Sequence, residues 1–161
     1  EPSSVADDPE AGEVFGELCA AWRELEPELR EDVAIISLPM ASRKHNALMV
    51  NALQRCSTIV AQCSREEGFG LTVTEAMWKR IAVLGTTSCG IRRQIQHGVE
   101  GALLDNPEDS LEIADALELL LTQPYARERL ARSAQRRAHD EFLIFTQVGH
   151  WLRLLASRVR D

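Results

Sequence analysis

The sequence predicts an α/β domain with an open parallel sheet of Rossmann-like type, followed by a helical C-terminal segment. Short apolar runs alternate with segments whose apolar residues recur at helical spacing. The runs are continuously apolar rather than striped, which is typical of parallel strands buried on both faces. We expect four such strands, at 33–38, 57–61, 81–85 and 102–104.

Helical patterns separate the predicted strands. The first opens at Asp8-Pro9, a pair typical of an N-cap followed by the first helical position, and ends before Pro27. Asn106-Pro107 forms a similar cap before the helix that follows the last strand. The remaining helical patterns are expected at 49–56, 71–79 and 91–95.

Beyond Pro124 the chain is predicted to be helical to about residue 158. Arginines are interleaved with Ala, Glu and Ser in the first part of this segment, which leaves two interpretations open. One is a solvated helix face, and the other is a phosphate-binding arginine; the missing aromatic and glycine partners favour the first. The last part is apolar enough to pack on another surface, through Phe142, Phe145, Trp151, Leu152 and Leu155.

Length and charge restrict the classes of function. With 161 residues, 45% of them hydrophobic, the chain suits a single domain over 1–161. The formal net charge of −7 argues against binding to nucleic acid or to an anionic membrane surface. No apolar run has the length of a membrane span and no secretory leader is visible, so a cytoplasmic location is expected. Because the sequence opens at Glu1 without a methionine, we expect an incomplete part of a longer product.

The four cysteines, Cys19, Cys56, Cys63 and Cys89, indicate neither a zinc site nor a disulfide framework. Their spacings are irregular and include no Cys-x-x-Cys pair. We expect reduced, partly buried thiols, and we predict no metal site and no cofactor.

The main candidate site is the loop Glu66-Glu-Gly-Phe-Gly70, which lies between a predicted strand and a helix. Open parallel sheets bind ligands at the carboxyl ends of their strands. The glycines allow the backbone to approach a ligand, and the helix start offers unpaired N–H groups to an anion such as a diphosphate. The spacing matches neither a Walker A motif nor Gly-x-Gly-x-x-Gly, so a sugar diphosphate fits better than ATP or a dinucleotide.

Two carboxylates accompany this loop, those of Glu67 and Glu75. Both can accept hydrogen bonds from sugar or ribose hydroxyls. For Glu75 the residues leave a second interpretation open, because Thr72-x-x-Glu75 is also a capping box that satisfies the helix start without a ligand. For Glu67 the alternative is a solvated loop charge.

The stretch Glu67-Gly-Phe-Gly-Leu-Thr-Val-Thr-Glu75-Ala-Met-Trp-Lys79 resembles the signature of the family 4 glycosyltransferases, which have two glutamates separated by seven residues. Its form is similar to that of trehalose synthases using nucleotide-diphosphate glucose and of retaining trehalose phosphorylases. The resemblance extends from about Asp7 to Leu155. Further matching residues are Asp7-Asp-Pro-Glu10, Asn46-Ala47, Val50-Asn-Ala-Leu-Gln-Arg55, Gly90-Ile91, Gln94-Ile95, Gly98, Gly101 and Glu141-Phe-Leu143.

The resemblance implies part of the C-terminal half of a GT-B fold, in which two Rossmann-like domains face a cleft and glucose is transferred with retention and no essential metal. It implies that Glu67 is the catalytic residue, binding donor glucose hydroxyls near the reacting carbon. The backbone amides of residues 70–72 would hold the sugar and diphosphate, and Glu75 the ribose. The site implied for UDP-, ADP- or GDP-glucose comprises Glu67, Gly68, Phe69, Gly70, Leu71, Thr72 and Glu75.

The sequence also departs from the family pattern. Gln62-Cys63 stands where a basic residue is usual, Arg80 where a small residue is common, and Cys89 where the family has the first glycine of Gly-Gly-Ile. The strand and loop that supply an arginine and a lysine to the donor phosphates have no counterpart before Asp7, and the acceptor domain has none either. We therefore expect binding, without turnover, from these 161 residues alone.

Three hypotheses follow. The first is the donor-binding part of a retaining glycosyltransferase that passes glucose to a sugar acceptor held by an N-terminal domain, or of a trehalose phosphorylase. The second is a non-catalytic binding or assembly module, for which a homodimer would cover an exposed sheet edge. Cys63, Arg80 and Cys89 motivate it. The third is a sugar-nucleotide epimerase of related architecture, which residues 67–79 fit poorly.

Overall fold

A computed structural model describes residues 9–39 and 41–159 of the chain. These residues belong to two compact units, Glu1–Leu53 and Gln54–Asp161. Within the described ranges no helix combines the length and the apolar character needed to cross a membrane. The cytoplasmic location and the single domain over 1–161 stay predictions.

The first unit is built from helices. Asp8, the expected N-cap, lies outside the described residues. Pro27 ends the first helical pattern as predicted and also begins a short second helix that we did not predict, because proline suits the first helical position. The indole nitrogen of Trp22 donates a 2.8 Å hydrogen bond to the carbonyl of Val33. The helices are α1 (Pro9–Glu24), α2 (Pro27–Asp32) and α3 (Arg43–Cys56), the last continuing into the second unit.

The strand predicted at 33–38 is wrong. The segment belongs to no strand in the structure, and Val33, Ile35 and Ile36 expose 44%, 36% and 58% of their surface. A strand exists only when a neighbouring backbone pairs with its N–H and C=O groups. The described secondary structure of the first unit is helical, so an apolar run alone does not produce a strand there.

The second unit contains the predicted open parallel sheet. Its strands are β1 (Ile59–Gln62), β2 (Ala82–Thr86) and β3 (Ala102–Leu104), in the spatial order β1-β2-β3. Both pairs are parallel, with Val60 opposite Val83 and Gly85 opposite Leu103. The central strand is buried along its whole length. The predicted α/β fold class is confirmed, with three strands in the described residues rather than four.

Helices follow the strands as predicted, with one change of cap. The side chain of Asp109 accepts hydrogen bonds from the amides of Leu111 and Glu112, so the cap predicted at Asn106-Pro107 is wrong. Asn106 instead accepts from the amide of Glu108 in the preceding turn. The helices of this unit are α4 (Leu71–Trp78), α5 (Ile91–Gln94), α6 (Ser110–Thr122), α7 (Pro124–Arg137), a π-helical turn (Ala138–Phe142) and α8 (Ile144–Val159).

Two apolar clusters cover the two faces of the sheet. Successive strand residues point to opposite faces, and accordingly Val83 belongs to one cluster and Leu84 to the other. The first cluster joins Val83 to α4, α5, α7 and the π-helical turn, and includes Val73, Met77, Ile91, Ile95, Ala134 and Ala138. The second joins Leu84 to β3, α6 and α7 through Leu104, Leu120 and Leu130. This core fixes the strand ends that carry the candidate site.

The C-terminal helices combine structural arginines with an exposed apolar face. Arg127 donates to the carbonyls of Leu120 and Leu121 at 2.7 and 3.1 Å, which ties α7 to the end of α6. Arg137 lies 3.4 Å from a carboxylate oxygen of Glu100. On α8 the apolar residues predicted to pack are exposed, with Phe145 at 82%.

Candidate functional site

Three loops meet the carboxyl ends of the parallel strands. They are the loop from β1 to α4, the loop from β2 to α5, and the loop from β3 to α6. Thr86 at the end of β2 donates a 2.7 Å hydrogen bond to the carbonyl of Ser64, and Arg65 forms a 2.9 Å ion pair with Glu108. The predicted site loop, residues 66–70, is the first of these and lies where open parallel sheets bind ligands.

Gly90 brings the second loop into direct contact with the site loop. Its amide donates a 2.9 Å hydrogen bond to the carbonyl of Glu67. A Cβ atom at Gly90 would lie 2.7 Å from backbone atoms of Glu67, Gly68 and Phe69, closer than real Cβ atoms come. Only glycine at this position allows the two backbones to pack so closely.

Gly70 begins α4 from a left-handed conformation, with φ 88° and ψ 65°. Its carbonyl accepts from the amides of Val73 and Thr74 at 3.1 and 3.3 Å. Among the described residues, the amides of Leu71 and Thr72 donate to no backbone acceptor outside the helix, as expected for the first turn. These free N–H groups and the positive end of the helix dipole favour an anion at this place.

The buried side chain of Gln94 holds the site loop through hydrogen bonds to its backbone carbonyls. Gln94, fully buried at the end of α5, donates through Nε2 to the carbonyl of Phe69 and, at 3.4 Å, to that of Gly70. Its Oε1 accepts a 2.5 Å hydrogen bond from the hydroxyl of Thr74. The loop and the first turns of α4 are therefore one hydrogen-bonded unit.

Glu67 lies in the loop and is half-buried. Its backbone carbonyl is engaged by Gly90, while no hydrogen bond or ion pair of its carboxylate occurs with the described residues. The carboxylate is thus available to a ligand, and the catalytic role implied for it stays a prediction.

Glu75 lies on α4, and its carboxylate is partly occupied by protein groups. Oε2 accepts a 3.1 Å hydrogen bond from Nε2 of Gln54 and lies 3.7 Å from Nζ of Lys79. The Lys79 side chain is only 9% exposed and also donates to Oε1 of Gln54. This triad fixes the direction of the Glu75 carboxylate on the exposed side of the helix.

The capping-box interpretation of Glu75 is wrong. The N-cap of α4 is Gly70, which makes Thr72 a residue of the first turn and places Glu75 beyond it. Neither side chain caps the helix, because the glycine conformation already starts it two residues earlier. The interpretation of Glu75 as a ligand-binding residue stays a prediction.

The aromatic residue of the loop packs against the π-helical turn. The rings of Phe69 and Phe142 meet edge to face with centroids 6.0 Å apart, and Trp78 stacks on His139 at 6.4 Å. A π-helical turn carries one residue more than an α-helical turn and is frequent near functional sites. Here it brings Phe142 to the loop.

The described residues contain no group of three or more His, Cys, Asp or Glu side chains placed to hold a metal ion. All four cysteines are free. Burial raises the pKa of the Cys63 thiol, which keeps it protonated at neutral pH.

Sequence reasoning missed the supports of the site. Gly90 and Gln94 appear in the sequence only as matches to the family pattern, and no pattern in the sequence links Gln54 or Lys79 to Glu75. One signal was present for Gln94, since it is an uncharged polar residue between Ile91 and Ile95 in a turn that faces the core.

Comparison with known proteins agrees with this geometry. Residues 40–137 match the family model for glycosyl transferases group 1. Trehalose synthase of Thermococcus litoralis is 40% identical over 139 residues, which cover 84% of this chain and 33% of that protein. Trehalose phosphorylase of Pleurotus pulmonarius is 31% identical over 152 residues, covering 93% of this chain and 20% of that protein. The chain therefore spans a third or less of the length of these relatives.

Solved structures of glycosyltransferases are also similar to this chain. HepE of Anabaena, in complex with UDP-glucose, is 27% identical with a TM-score of 0.62, and the match covers 67% of this chain and 30% of that one. The fold is that of the C-terminal domain of GT-B glycosyltransferases, as the signature implied. The chain belongs to the glycosyl transferases group 1 family.

Proposed function

We propose that this chain is the donor-binding part of a retaining glycosyltransferase that transfers glucose from a nucleotide-diphosphate glucose to a sugar acceptor, as a trehalose synthase does. The observation that carries the proposal is the loop Glu67–Gly70, held by Gly90 and Gln94 so that the first amides of α4 are unpaired. Similarity to trehalose synthase and to a structure containing UDP-glucose supports the choice of ligand.

The geometry suits the chemistry of this transfer. The bond between the glucose anomeric carbon and the diphosphate oxygen breaks, a bond to the acceptor oxygen forms, and the proton of the acceptor hydroxyl leaves with the nucleoside diphosphate. Negative charge grows on the leaving diphosphate. Preorganised amides at Gly70, Leu71 and Thr72 and the helix dipole stabilise that charge.

The two glutamates have separate roles in this proposal. The available carboxylate of Glu67 accepts hydrogen bonds from glucose hydroxyls near the reacting carbon. Glu75, directed by Gln54 and Lys79, accepts from the ribose hydroxyls of the nucleotide. The acceptor and the remaining phosphate-binding groups belong to a further domain.

Calorimetric titration with UDP-, ADP- and GDP-glucose tests the proposal. We expect one of them to bind, and Glu67→Gln or Glu75→Gln to weaken binding about tenfold or more, because each removes a charged hydrogen-bond acceptor. Glu66→Gln is the matched control, since Glu66 is the exposed neighbour in the same loop. Absence of binding to all three donors contradicts the proposal.

A trehalose phosphorylase fragment is the second candidate, favoured by the 31% identity to the Pleurotus enzyme. In that case phosphate rather than a nucleoside diphosphate carries the glucose. Glucose 1-phosphate would then bind more tightly than any of the three nucleotide sugars, and Glu75→Gln would leave its affinity unchanged.

A further inference from the structure

Both polar atoms of the Gln94 carboxamide are hydrogen-bonded to the site loop or to the start of α4. Both donor bonds of Nε2 go to consecutive carbonyls, those of Phe69 and Gly70, and Oε1 accepts from the hydroxyl of Thr74. The residue is fully buried. A buried amide with this set of partners is a fixed structural element.

The partners determine the orientation of the carboxamide. Turning it by half a rotation would place Oε1 against two carbonyl oxygens and lose both donor bonds. Thr74 anchors the other side of the carboxamide, because its hydroxyl donates to Oε1. Its backbone amide donates at the same time to the carbonyl of Gly70, so α4 and Gln94 fix the same peptide group.

Holding these two carbonyls also directs two amides. A trans peptide group is planar, with its N–H opposite to its C=O. The Phe69 carbonyl shares its plane with the N–H of Gly70, and the Gly70 carbonyl shares its plane with the N–H of Leu71. Because both carbonyls face Gln94, both N–H groups point away from it.

We infer that Gln94 is a positioning residue for the diphosphate of the donor, and that the Thr74 hydroxyl anchors its carboxamide beside the loop. This inference rests on the proposed function, in which the amides of residues 70–72 hold that diphosphate. Gln94 touches no substrate atom. It acts through the peptide planes that carry the amides of Gly70 and Leu71, which it aligns before the donor arrives.

Gln94→Glu is the most direct test, because it keeps the shape of the side chain and leaves at most one donor, the O–H of a protonated carboxyl group. An ionised carboxylate would repel both carbonyl oxygens, and a protonated one would hold only one of them, so at least one peptide plane is released. We expect the nucleotide sugar that binds the unchanged chain, and its free nucleoside diphosphate, to bind about tenfold or more weakly. The corresponding nucleoside should bind with unchanged affinity, since its contacts lie at Glu75.

The three ligands separate positioning from general stability. Equal losses for the nucleotide sugar, the diphosphate and the nucleoside, or no loss for any of them, would overturn the inference. Thermal unfolding of each variant is recorded in parallel. If Gln94→Glu does not fold, the pair Thr74→Val and Thr74→Ser decides, because Thr74→Val keeps the shape of threonine without its hydroxyl, whereas Thr74→Ser keeps the hydroxyl without the methyl group.

Thr74→Ser keeps the hydroxyl and should bind the diphosphate as the unchanged chain does. Thr74→Val leaves Oε1 of Gln94 unpaired and should weaken diphosphate binding severalfold. Equal affinities for the two variants would overturn the inference.

Amide NMR signals give a ligand-free measure of the same role. We expect Thr74→Val to shift the amide signals of Gly70 and Leu71, with Thr74→Ser as the control. If the unchanged chain binds no donor, the proposed function fails, and unshifted signals then also overturn the role of Gln94.

Discussion

The two ends of α4 use the same unusual backbone conformation with different residues. At the start of the helix Gly70 has a φ of 88°, and just after its end Arg80 has a φ of 59°. Arg80 closes the helix in a Schellman arrangement, in which its amide donates to Met77 and the amide of Ile81 donates to Ala76, both at 3.0 Å. Glycine is the usual residue at both kinds of position.

The surroundings explain the difference. A Cβ at Gly70 would lie 3.3 to 3.6 Å from Glu67, Ile91 and Gln94, so the position is crowded as well as left-handed. Arg80 is exposed, and its guanidinium pairs with Glu128 on α7. A left-handed position can therefore accept a side chain at the open end of the helix, at a cost in backbone energy, whereas the end next to the loop favours glycine more strongly.

Replacing Gly70 should have the largest effect on the free energy of unfolding. We expect Gly70→Ala to lower the free energy of unfolding by about 1–2 kcal/mol, because an L-residue is strained at positive φ. Gly68→Ala is the control, since a Cβ there meets no atom within 4 Å and its φ is not positive. Urea denaturation measures both. Equal effects at the two glycines would show that the crowding and conformation at Gly70 do not matter.

Introducing glycine at Arg80, beyond the other end of α4, should have a smaller effect of opposite sign on the free energy of unfolding. Arg80→Gly and Arg80→Ala both remove the guanidinium, so the ion pair with Glu128 is lost in each. Only glycine also relieves the left-handed strain. We expect Arg80→Gly to be about 1 kcal/mol more stable than Arg80→Ala. Identical unfolding midpoints for the two variants would contradict the strain at Arg80.

The smallest effect on stability is expected at Glu128, the ion-pair partner of Arg80. Hydrogen bonds from Arg80 and then from Arg132 hold the pKa of Glu128 below its ordinary value. A lowered pKa in the folded state means that the carboxylate stabilises the fold above its unfolded pKa, about 4.3, and that this is lost as pH falls through the folded value.

Glu128→Gln should therefore lower the unfolding midpoint slightly at pH 7, and the difference should disappear as pH falls through the lowered pKa of Glu128. The difference at pH 7 should shrink in high salt. Glu118→Gln on α6 is the control, since Glu118 has no ion pair among the described residues. A midpoint difference that persists at low pH would contradict an ionic role.

The local pattern of apolar residues was sufficient to predict the sheet and the helices around it. The apolar runs at β2 and β3 and the helix from Leu71 are where the sequence predicts them, because burial in a parallel sheet requires such runs. The same signal failed at 33–38, since an apolar run contains no information on whether a neighbouring backbone is present to pair with it.

The sequence indicates the loop of the candidate site, but it does not indicate the residues that hold that loop in place. The glycines and glutamates between residues 66 and 75 are singled out by their resemblance to the family signature, because their spacing alone also fits a capping box and a solvated loop charge. Gln94 lies 25 residues after Phe69 and acts through backbone carbonyls, which carry no sequence signal. Thr72 and Glu75 match a capping box in spacing, but the conformation of Gly70 decides where the helix begins.

The π-helical turn Ala138–Phe142 makes the length of this part of the chain as important as its composition. An α-helix turns by about 100° per residue, so deleting one residue from the turn would restore α-helical hydrogen bonding and rotate Phe142 by that angle about the axis of α7. Phe142 would leave the ring of Phe69, which it now meets edge to face. Relatives that preserve the Phe69 contact are therefore expected to tolerate substitutions in this segment far better than insertions or deletions.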